Sequence, residues 1–404
     1  MTEPGPIVIV GAGHAGVQLC VGLVAAGLGS HIHLVCEEPD LPYQRPPLSK
    51  TFLKSPGETL QLHRTEDWFN ESGIHVYRAD PAVDIDRSRH VVELRSGTKL
   101  HYRTLVLATG TRARRLPHLP DGLSNVAVLR TAADALCFRE RLSSMSRLTV
   151  VGGGFIGLEV AATVRNLGKT VDVLESAPRL LMRSVSPELA QHVLQVHRAS
   201  GIDLRLGVAV GGFEVAGDRL QALHVGGALH EVDMLLLGIG AMPEHTLATQ
   251  AGLDCDNGIL VDPHMRTSDP NILAIGDCSS FPGPIRGRLR LESVQNANDQ
   301  AKAAVGTLTG ALSAFYAVPW FWSEQGSLRL QMVGLMPVDG IRHRRPGTTP
   351  TSFSLLHYAG GQLACVESVN APVDHMAARK LLEANVNPSP EAACDPSRPL
   401  KSFL

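Results

Sequence analysis

The sequence predicts an α/β protein with two parallel-sheet domains, one inserted in the other, and a smaller α+β domain at its C-terminal end. Three observations support this prediction. The pattern of strand, glycine-rich loop, helix and strand occurs twice, with the loops starting at Gly11 and Gly152. Each copy is followed by an apolar strand that ends in glycine. From residue 320 onward, apolar residues alternate with period two, as in antiparallel strands.

The composition is that of a globular protein and argues against several functional classes. Hydrophobic residues make up 44% and charged residues 19% of the 404 positions, which is ordinary for globular domains. The formal net charge of −2 gives no argument for nucleic acid or a membrane surface as partner. No apolar stretch reaches the roughly 20 residues of a membrane helix, and no secretory leader is recognisable.

The cysteines indicate a reducing compartment, and the cysteines and histidines do not indicate a metal site. The seven cysteines are scattered and contain no CxxC pair, a pattern typical of buried thiols in a reducing environment. No spacing of a metal-ligand tetrad occurs, so no metal site is predicted. We therefore expect a cytoplasmic protein with neither nucleic-acid nor membrane partners.

The first glycine-rich loop, residues 11–16, follows a buried strand at residues 7–10 and opens a helix. In this GxGxxG pattern, Gly11 makes the tight turn, Gly13 lets a pyrophosphate approach, and Gly16 packs the helix on the strand. The next strand closes on Glu37, whose carboxylate would bond ribose hydroxyls. Together these features predict a dinucleotide site at the N-terminus of the helix.

The second glycine-rich loop, residues 152–157, has the same neighbours, with Glu175 at the end of the following strand. Its predicted cofactor contacts are Gly152, Gly154, Ile156 and Gly157. Glu175 would bond a ribose 2′-hydroxyl and repel a 2′-phosphate, which favours NAD over NADP. Arg179 and Arg183 follow closely and weaken this preference, and Arg183 is itself counted as a cofactor contact.

Similar apolar strands close both copies, one ending at Thr109 and Gly110 and the other at Gly240. Glycine is expected at these strand ends because the chain passes close to a cofactor there. Domain boundaries follow from this arrangement. We predict a first nucleotide domain over residues 1–111 and 239–319, an inserted one over 112–238, and a C-terminal domain over 320–404.

The segment after Gly240 holds two further candidates. A short strand precedes Gly276 and Asp277, and the Asp277 carboxylate would either bond a sugar-alcohol hydroxyl or cap a helix. Another helix begins around Val294, and its first N–H groups could face a ring carbonyl. The residues alone leave both interpretations of Asp277 open.

Nine segments, spread in order along the chain, resemble one protein family. They are VGAGHAG, RPPLSK, LVLATG, LRT, VGGGFIGLEVA, LGIG, TSDPNILAIGDC, LESVQNANDQA and PWFWSEQG. The chain resembles the FAD-dependent, NADH-using ferredoxin reductases of bacterial oxygenase systems. That family has an FAD domain with an inserted NAD domain, so the resemblance assigns FAD to the first loop and NAD(H) to the second.

The resemblance also implies roles for single residues. Around FAD it implies Ala15 at the pyrophosphate, Glu37 at the ribose, Arg45 and Lys50 along the flavin, Val83 at the adenine, Arg130 at a phosphate, Asp277 at the ribitol and Val294 at the pyrimidine. Glu159 would lie where nicotinamide stacks, and Trp320 would line one side of the flavin. Glu159, Trp320 and Lys50 are therefore the catalytic candidates. Plainer explanations exist, such as a solvated charge for Lys50, a helix-dipole contact for Glu159 and core packing for Trp320.

The implied reaction passes a hydride from nicotinamide C4 to flavin N5. Single electrons would then pass to a small, acidic [2Fe–2S] ferredoxin that supplies a P450 or a Rieske oxygenase. The encounter would be transient, and the reductase a monomer or weak homodimer. Three arginine clusters could steer this encounter: Arg112, Arg114 and Arg115; Arg286, Arg288 and Arg290; and Arg342, Arg344 and Arg345.

Three other kinds of function fit the sequence less well. The main alternative is a rubredoxin reductase, or an NADH-dependent reductase with another acceptor, because acceptor choice depends on the surface. A disulfide reductase or peroxidase would need a cysteine near the flavin, and residues 40–54 contain none. A signalling flavoprotein would carry additional targeting or nucleic-acid-binding segments, which the sequence does not show.

Overall fold

The computed structural model describes residues 5–55, 57–283 and 287–404. The chain forms two compact units. The first consists of Met1–Arg45, Leu60–Arg112 and Met242–Ala317, and the second of Pro46–Thr59, Ala113–Ala241 and Val318–Leu404. Within the described residues, no helix is long and apolar enough to cross a membrane.

The first unit is built on a five-stranded parallel sheet. In spatial order its strands are Ile272–Ala274, Thr104–Leu107, Ile7–Val10, Ile32–Val35 and His75–Tyr77. The strand Ile7–Val10 is buried throughout, as expected for a central parallel strand covered on both faces. The first glycine-rich loop leaves the carboxyl end of this central strand, which is where ligands bind in sheets of this type.

Smaller elements complete the first unit. Its helices are His14–Ala25, Glu66–Glu71, Thr246–Gln250 and Val294–Thr309, with 3₁₀ turns at Gly29–His31 and Gly276–Cys278. Its other strands are Ala82–Asp86, Val91–Leu94, Lys99–His101, Thr111–Ala113, Ala241–Pro243, Cys255–Asp256, Gly258–Leu260, Ser279–Pro282 and Arg288–Leu289. Thr111–Ala113 and Ala241–Pro243 each extend one residue beyond the bounds of the unit. One core cluster, centred on the parallel sheet and the two longer helices, joins these elements.

The second unit repeats the parallel sheet and adds an antiparallel one. Its parallel strands, in spatial order, are Asp203–Leu206, Thr170–Glu175, Arg147–Val151, Met234–Leu237 and Val126–Ala127. The antiparallel sheet runs Trp320–Gln325, Leu328–Gly334, Gln362–Val369, Phe353–Ala359 and Ile341–Pro346. A three-stranded ribbon contains Val210–Ala216, Arg219–Val225 and Ala228–Glu231.

Helices cover both sheets of the second unit. They are Thr51–Lys54, Ala132–Leu142, Phe155–Asn166, Pro187–Ala199, Pro372–Glu383 and Pro390–Cys394, with 3₁₀ turns at Pro46–Ser49 and Leu400–Phe403. One core cluster contains residues of both the parallel and the antiparallel sheet, so the two share a continuous apolar interior. The segment 46–59 belongs to this unit, whereas the predicted domain boundaries had placed it with the first nucleotide domain. The three-domain division stays a prediction.

The structure departs from the sequence prediction at short elements. Residues 387–399 contain four prolines and show no helical periodicity, which is loop-like in the sequence, but Pro390–Cys394 is helical. Ser389 caps this helix by accepting a hydrogen bond from Ala392 N, and proline occupies its first turn. These helix-start signals are present in the sequence, but a five-residue helix shows no periodicity that would reveal it.

Candidate functional site

The first glycine-rich loop is shaped by close backbone contacts. Gly11 has φ of 109°, a conformation that favours glycine. A Cβ at Gly11 would lie 2.3 Å from the carbonyl oxygen of Ala108, and one at Gly16 would lie 2.0 Å from the carbonyl oxygen of Gly11. Both glycines are therefore required by the packing of the loop itself.

Gly13 differs from its two neighbours in this respect. A Cβ at Gly13 would meet no described atom within 4 Å. Gly13 is the N-cap of the helix His14–Ala25, and within the described residues neither a capping side chain nor a first-turn acid serves this end. Such a helix end, with open space beside its middle glycine, fits the phosphates of a dinucleotide.

The second glycine-rich loop repeats this geometry. Gly152 has φ of 111°, and a Cβ there would lie 2.3 Å from the carbonyl oxygen of Gly238. A Cβ at Gly157 would lie 2.4 Å from the carbonyl oxygen of Gly152. At Gly154 the nearest atom would be 3.7 Å away, an ordinary contact. The second unit therefore repeats the loop geometry that suits a dinucleotide in the first.

Glu175 lies against the middle of the second loop. Its carboxylate accepts hydrogen bonds from Gly153 N at 2.6 Å and from Ala177 N at 2.7 Å. Arg179 donates instead to the carbonyls of Met182 and Val185, both at 2.8 Å. The guanidinium of Arg179 is thus occupied by the loop backbone, which weakens its candidacy as a phosphate ligand.

Arg183 and Gly240, both predicted as cofactor contacts, lie together in the second unit. A Cβ at Gly240 would stand 3.5 Å from the Arg183 guanidinium, and Gly240 has φ of 98°. Arg183 is exposed. The side chain therefore covers the strand end beside the second loop.

In the first unit, Gly276 and Asp277 approach the first loop. A Cβ at Gly276 would lie 2.9 Å from the Ala15 Cβ, so these residues are in direct contact. Asp277 lies inside the 3₁₀ turn Gly276–Cys278, which Ile275 precedes as N-cap. The interpretation of Asp277 as a helix cap is therefore wrong, whereas Val294 does begin a helix, as predicted.

Gln300 is a residue of this region that the sequence analysis missed. Its side-chain oxygen accepts hydrogen bonds from Gly276 N at 2.6 Å and Ser279 Oγ at 2.8 Å, and the side chain is fully buried. The helix Val294–Thr309 thereby holds the turn that carries Asp277. The available signal was a run of polar residues at 295, 296 and 300 on a helix face that is otherwise rich in alanine.

Glu38, the residue after the predicted Glu37, is held by two side chains just beyond the strand Ile32–Val35. Arg45 donates to Glu38 at 2.7 Å, and the Tyr43 hydroxyl donates to it at 2.5 Å. Glu37 is exposed. Arg45 is thus held by an ion pair, which does not test its predicted contact with flavin.

Glu159 is the centre of a buried polar cluster in the second unit. It lies in the first turns of the helix Phe155–Asn166 and is 3% exposed. Its Oε2 accepts hydrogen bonds from Lys50 Nζ at 2.7 Å and Ser49 Oγ at 2.6 Å, while its Oε1 accepts one from Ser323 Oγ at 2.7 Å. One cation and two hydroxyls therefore compensate the cost of burying this carboxylate.

The structure brings together Lys50 and Glu159, two of the three catalytic candidates. Sequence analysis missed Ser49 and Ser323, which complete the cluster. Ser49 is adjacent to Lys50 in the RPPLSK segment and could have been considered. Ser323 lies on a strand where tryptophan and phenylalanine dominate, 164 residues from Glu159, and no local pattern relates the two.

Trp320 begins the strand Trp320–Gln325 and is part of an aromatic and cationic group. Its ring centroid lies 5.6 Å from that of Trp322 and 5.9 Å from that of His375. The Arg379 guanidinium lies over the Trp320 ring at 4.2 Å from its centroid. These contacts hold the indole in place, and its predicted contact with flavin stays a prediction.

The other predicted contacts occupy varied positions. Val83 and Ile156 are exposed, at 45% and 47%. Thr109 Oγ1 donates to the carbonyl of Glu244 at 2.5 Å, and the next residue, Gly110, has φ of 69°. Arg130 N donates to Asp134, the N3 residue of the following helix. Nothing in these positions tests their cofactor roles.

Most arginines of the three clusters are paired within the fold. Arg345 is 4% exposed and donates to Asp374 and to the carbonyls of Ala393, Asp395 and Arg398. Arg342 and Arg344 share Glu188.

The other two clusters are similar. Arg288 donates to the carbonyls of Val261 and Ser280, and Arg290 donates to the Asp277 carbonyl and to Glu292. Arg112 and Arg115 pair with Glu244 and Asp121. Arg286 lies outside the described residues. The clusters therefore give weaker support for a docking surface than the sequence suggested.

The thiols show no sign of redox activity. All seven cysteines are free. Cys36, which follows the strand Ile32–Val35, is buried, and burial raises its pKa to about 12. Burial also raises the pKa of Cys20 and Cys278. These thiols stay protonated near neutral pH, which argues against dithiol chemistry. In the described part of the chain, no group of three or more His, Cys, Asp or Glu is placed to hold a metal.

Comparisons with known proteins identify the class that this fold and its two cradles define. The family of pyridine nucleotide-disulphide oxidoreductases matches residues 5–301, and a reductase C-terminal domain matches residues 320–404. The chain belongs to the pyridine nucleotide-disulphide oxidoreductase family. It is an FAD-dependent oxidoreductase that uses NAD(H), and the predicted fold class and cofactors are confirmed.

Individual relatives are more informative still. Rhodocoxin reductase of Rhodococcus erythropolis is 42% identical, with 98% of this chain and 93% of its own covered. Putidaredoxin reductase CamA of Pseudomonas putida is 39% identical, with 98% and 96% covered. The ferredoxin reductase of the CYP199A2 system of Rhodopseudomonas palustris superposes with a TM-score of 0.93 at 40% identity, covering 98% and 99%. The resemblance to ferredoxin reductases is thereby confirmed.

A second solved structure bears on the partner. It is the covalent complex of putidaredoxin reductase with putidaredoxin, whose matching chain has a TM-score of 0.93 and 37% identity, with 99% of this chain and 98% of that chain covered.

Proposed function

We propose that this protein oxidises NADH and delivers the electrons one at a time to a small [2Fe–2S] ferredoxin that supplies a P450 or a Rieske oxygenase. The observation that carries this proposal is the pair of glycine-rich cradles in a chain whose buried thiols are inert. Two nucleotides can bind, and no dithiol takes the electrons onward within the chain. An external carrier is the remaining acceptor, as the ferredoxin reductases among its relatives suggest.

The first cradle would hold FAD and the second NADH. Open space at Gly13 and Gly154 leaves room for the two pyrophosphates, while Gly11 and Gly152 shape the turns. When bound, FAD supplies the redox chemistry by accepting a hydride from NADH and releasing electrons singly. Val294 N–H, at a helix N-terminus, would donate to the pyrimidine end of FAD, and Asp277 would accept from its ribitol.

Glu175 would select NADH over NADPH. Its carboxylate already lies on the backbone of the second loop, where the ribose of a bound dinucleotide would come. A 2′-phosphate there would meet a fixed negative charge. Arg179, whose guanidinium is used by the carbonyls of Met182 and Val185, would not neutralise that charge.

Lys50 and Glu159 would line the nicotinamide site with polar groups, and Trp320 would line one side of the flavin. The buried ion pair of Lys50 with Glu159 places a fixed charge pair beside the second loop. Such a preorganised pair needs no rearrangement as charge moves during hydride transfer. It would also help to exclude water and align the reactants.

Anaerobic stopped-flow reduction tests the proposal. Mixing the purified flavoprotein with NADH should bleach the flavin absorbance, and NADPH should do so much more slowly. Reduced protein should then reduce [2Fe–2S] ferredoxins faster than rubredoxins, disulfides or peroxide. Failure of both nucleotides to bleach the flavin would overturn the proposal, and faster transfer to rubredoxin would favour a rubredoxin reductase.

The cellular setting is part of the same proposal. We place the reductase in the cytoplasm, since unpaired cysteines suit a reducing compartment. We expect a monomer or weak homodimer that meets its ferredoxin transiently, and that ferredoxin to be acidic. Sedimentation of the purified protein over a range of concentrations measures its oligomeric state.

A further inference from the structure

Beyond Lys50 and Ser49, the Glu159 carboxylate is connected to a chain of buried side chains. Ser323 Oγ, which donates to Glu159, lies 3.1 Å from Gln325 Nε2. Gln325 Oε1 lies 2.8 Å from His197 Nε2. Ser323 is fully buried, and Gln325 and His197 are 1% and 2% exposed. The chain runs from the helix Phe155–Asn166, through the strand Trp320–Gln325, to the helix Pro187–Ala199.

The chemistry of these groups allows only one direction of donation along this series of hydrogen bonds. An ionised carboxylate only accepts, so the single Ser323 hydroxyl hydrogen goes to Glu159. Ser323 Oγ must then accept from the Gln325 amide, which turns the amide oxygen towards His197. That oxygen can only accept, so His197 must donate through Nε2–H. Burial lowers the pKa of His197, so the imidazole is neutral near pH 7 and this tautomer is the one required.

We propose that Ser323, Gln325 and His197 are positioning residues, which hold Glu159 on Lys50 by donating in series towards its carboxylate. This inference rests on the proposed function, because it assigns a structural support to the proposed nicotinamide site. Hydrogen bonds in a buried series polarise one another, so the more distant members reinforce the Ser323 donor. Without them, Oε1 would lose its donor and the carboxylate its fixed orientation.

The helix that carries His197 is itself held at its other end. Ser186 N, at the N-cap of that helix, donates to Glu367 Oε1 at 2.8 Å, and Glu367 Oε2 lies 2.8 Å from His357 Nε2. Glu367 belongs to the antiparallel sheet, as do Ser323 and Gln325. The sheet therefore bonds the helix near both of its ends, at Ser186 through Glu367 and at His197 through Gln325.

The first test does not depend on turnover. In ¹⁵N-histidine NMR spectra, the His197 imidazole should be the neutral Nε2–H tautomer, assigned by its disappearance in H197Q. S323A and Q325L should each shift this signal, because both alter the series of donors. An Nδ1–H tautomer at His197 would overturn the proposal, since the amide would then be reversed and Ser323 could not donate to Glu159.

The second test is kinetic and uses S323A with S323C, whose thiol is similar in size but a weak donor. We expect each to slow the limiting rate of flavin reduction about tenfold, the size of one hydrogen bond to a charged group, with NADH affinity changed less. Q325L should have a smaller effect. The matched control is S354A, a fully buried serine of the same sheet whose hydroxyl bonds Ser368 and Asp374 instead.

A double-mutant cycle separates positioning from general damage. In an E159Q background, S323A should have little further effect on the limiting rate, because the residue through which it acts is already altered. Full persistence of the effect in E159Q, or an S323A rate no slower than that of S354A, would overturn the proposal. If the unaltered protein itself is not reduced by NADH, the proposed function fails instead. The NMR result then still decides in which direction the hydrogen bonds from His197 to Glu159 are donated.

Discussion

In the proposed function, Glu175 would serve both the fold and the choice between NADH and NADPH. It accepts two backbone hydrogen bonds at the second glycine-rich loop, from Gly153 and Ala177. These bonds hold the carboxylate at the loop, so the proposed selectivity would require no movement of the side chain. Arg179, one of the two nearby arginines, is bound to carbonyls and does not offset this charge.

We predict that E175Q lowers the ratio of NADH to NADPH efficiency about tenfold or more. Glutamine keeps the shape of the side chain but removes the charge that repels a 2′-phosphate and strengthens the bond to the ribose. The measurement is kcat/KM for dye reduction with each nucleotide. The control is D203N on the adjacent strand, where Asp203 pairs with Arg205. A ratio that is unchanged in E175Q would show that selectivity lies elsewhere.

At the scale of the structural element, the two glycine-rich loops separate what the fold needs from what a ligand needs. Gly11 has a left-handed conformation and no room for a Cβ, whereas Gly13 has room for one. Alanine at these two positions should therefore fail in different ways.

We predict that G11A destabilises the protein by about 3 kcal/mol or more, because strain and overlap with Ala108 act together. G13A should fold, but FAD should bind about tenfold or more weakly, because its added methyl group would occupy the space of the pyrophosphate. Thermal unfolding and the ratio of FAD to protein measure these effects. Equal loss of stability in both variants would contradict a ligand role for Gly13.

A second element-scale prediction concerns the C-terminal tail. Arg345 is buried on the edge strand Ile341–Pro346 and holds three tail carbonyls as well as Asp374. R345M should lower the free energy of unfolding by about 3 kcal/mol, the cost of breaking a buried ion pair. Denaturant unfolding measures it. R344M, at an exposed neighbour, should cost about 1 kcal/mol or less. Similar losses in the two variants would show that Arg345 does not hold the tail in this way.

For the whole molecule, the sequence predicted what local patterns encode. The two loops, their helices and the acid Glu175 lie within short stretches, so spacing alone located them. The Glu159 cluster joins Ser49, Lys50 and Ser323 across 110, 109 and 164 residues of sequence. No periodicity reports such a contact, and only the packed chain shows which serine faces the carboxylate.

The arginine clusters illustrate the opposite error. Adjacent arginines look like a docking patch in the sequence, yet Arg345 is buried and Arg290 supports the turn at Asp277. The sequence gives charge but cannot show which charges are already used inside the fold. Charge reversal at Arg288 and Arg290 would therefore disturb the backbone that they hold, including the turn at Asp277, as well as any docking, so salt is the cleaner probe.

We predict that electron transfer to an acidic ferredoxin slows markedly as ionic strength rises from about 0.02 M to about 0.5 M, where screening shortens to a few ångströms. The net charge of −2 gives no overall attraction, so any steering must come from local exposed cations such as Arg114. The bimolecular rate is measured by stopped flow from pre-reduced protein. Transfer to a small neutral dye, which needs no oriented encounter, is the control and should change little. A ferredoxin rate that does not depend on salt would mean that docking is governed by apolar contact.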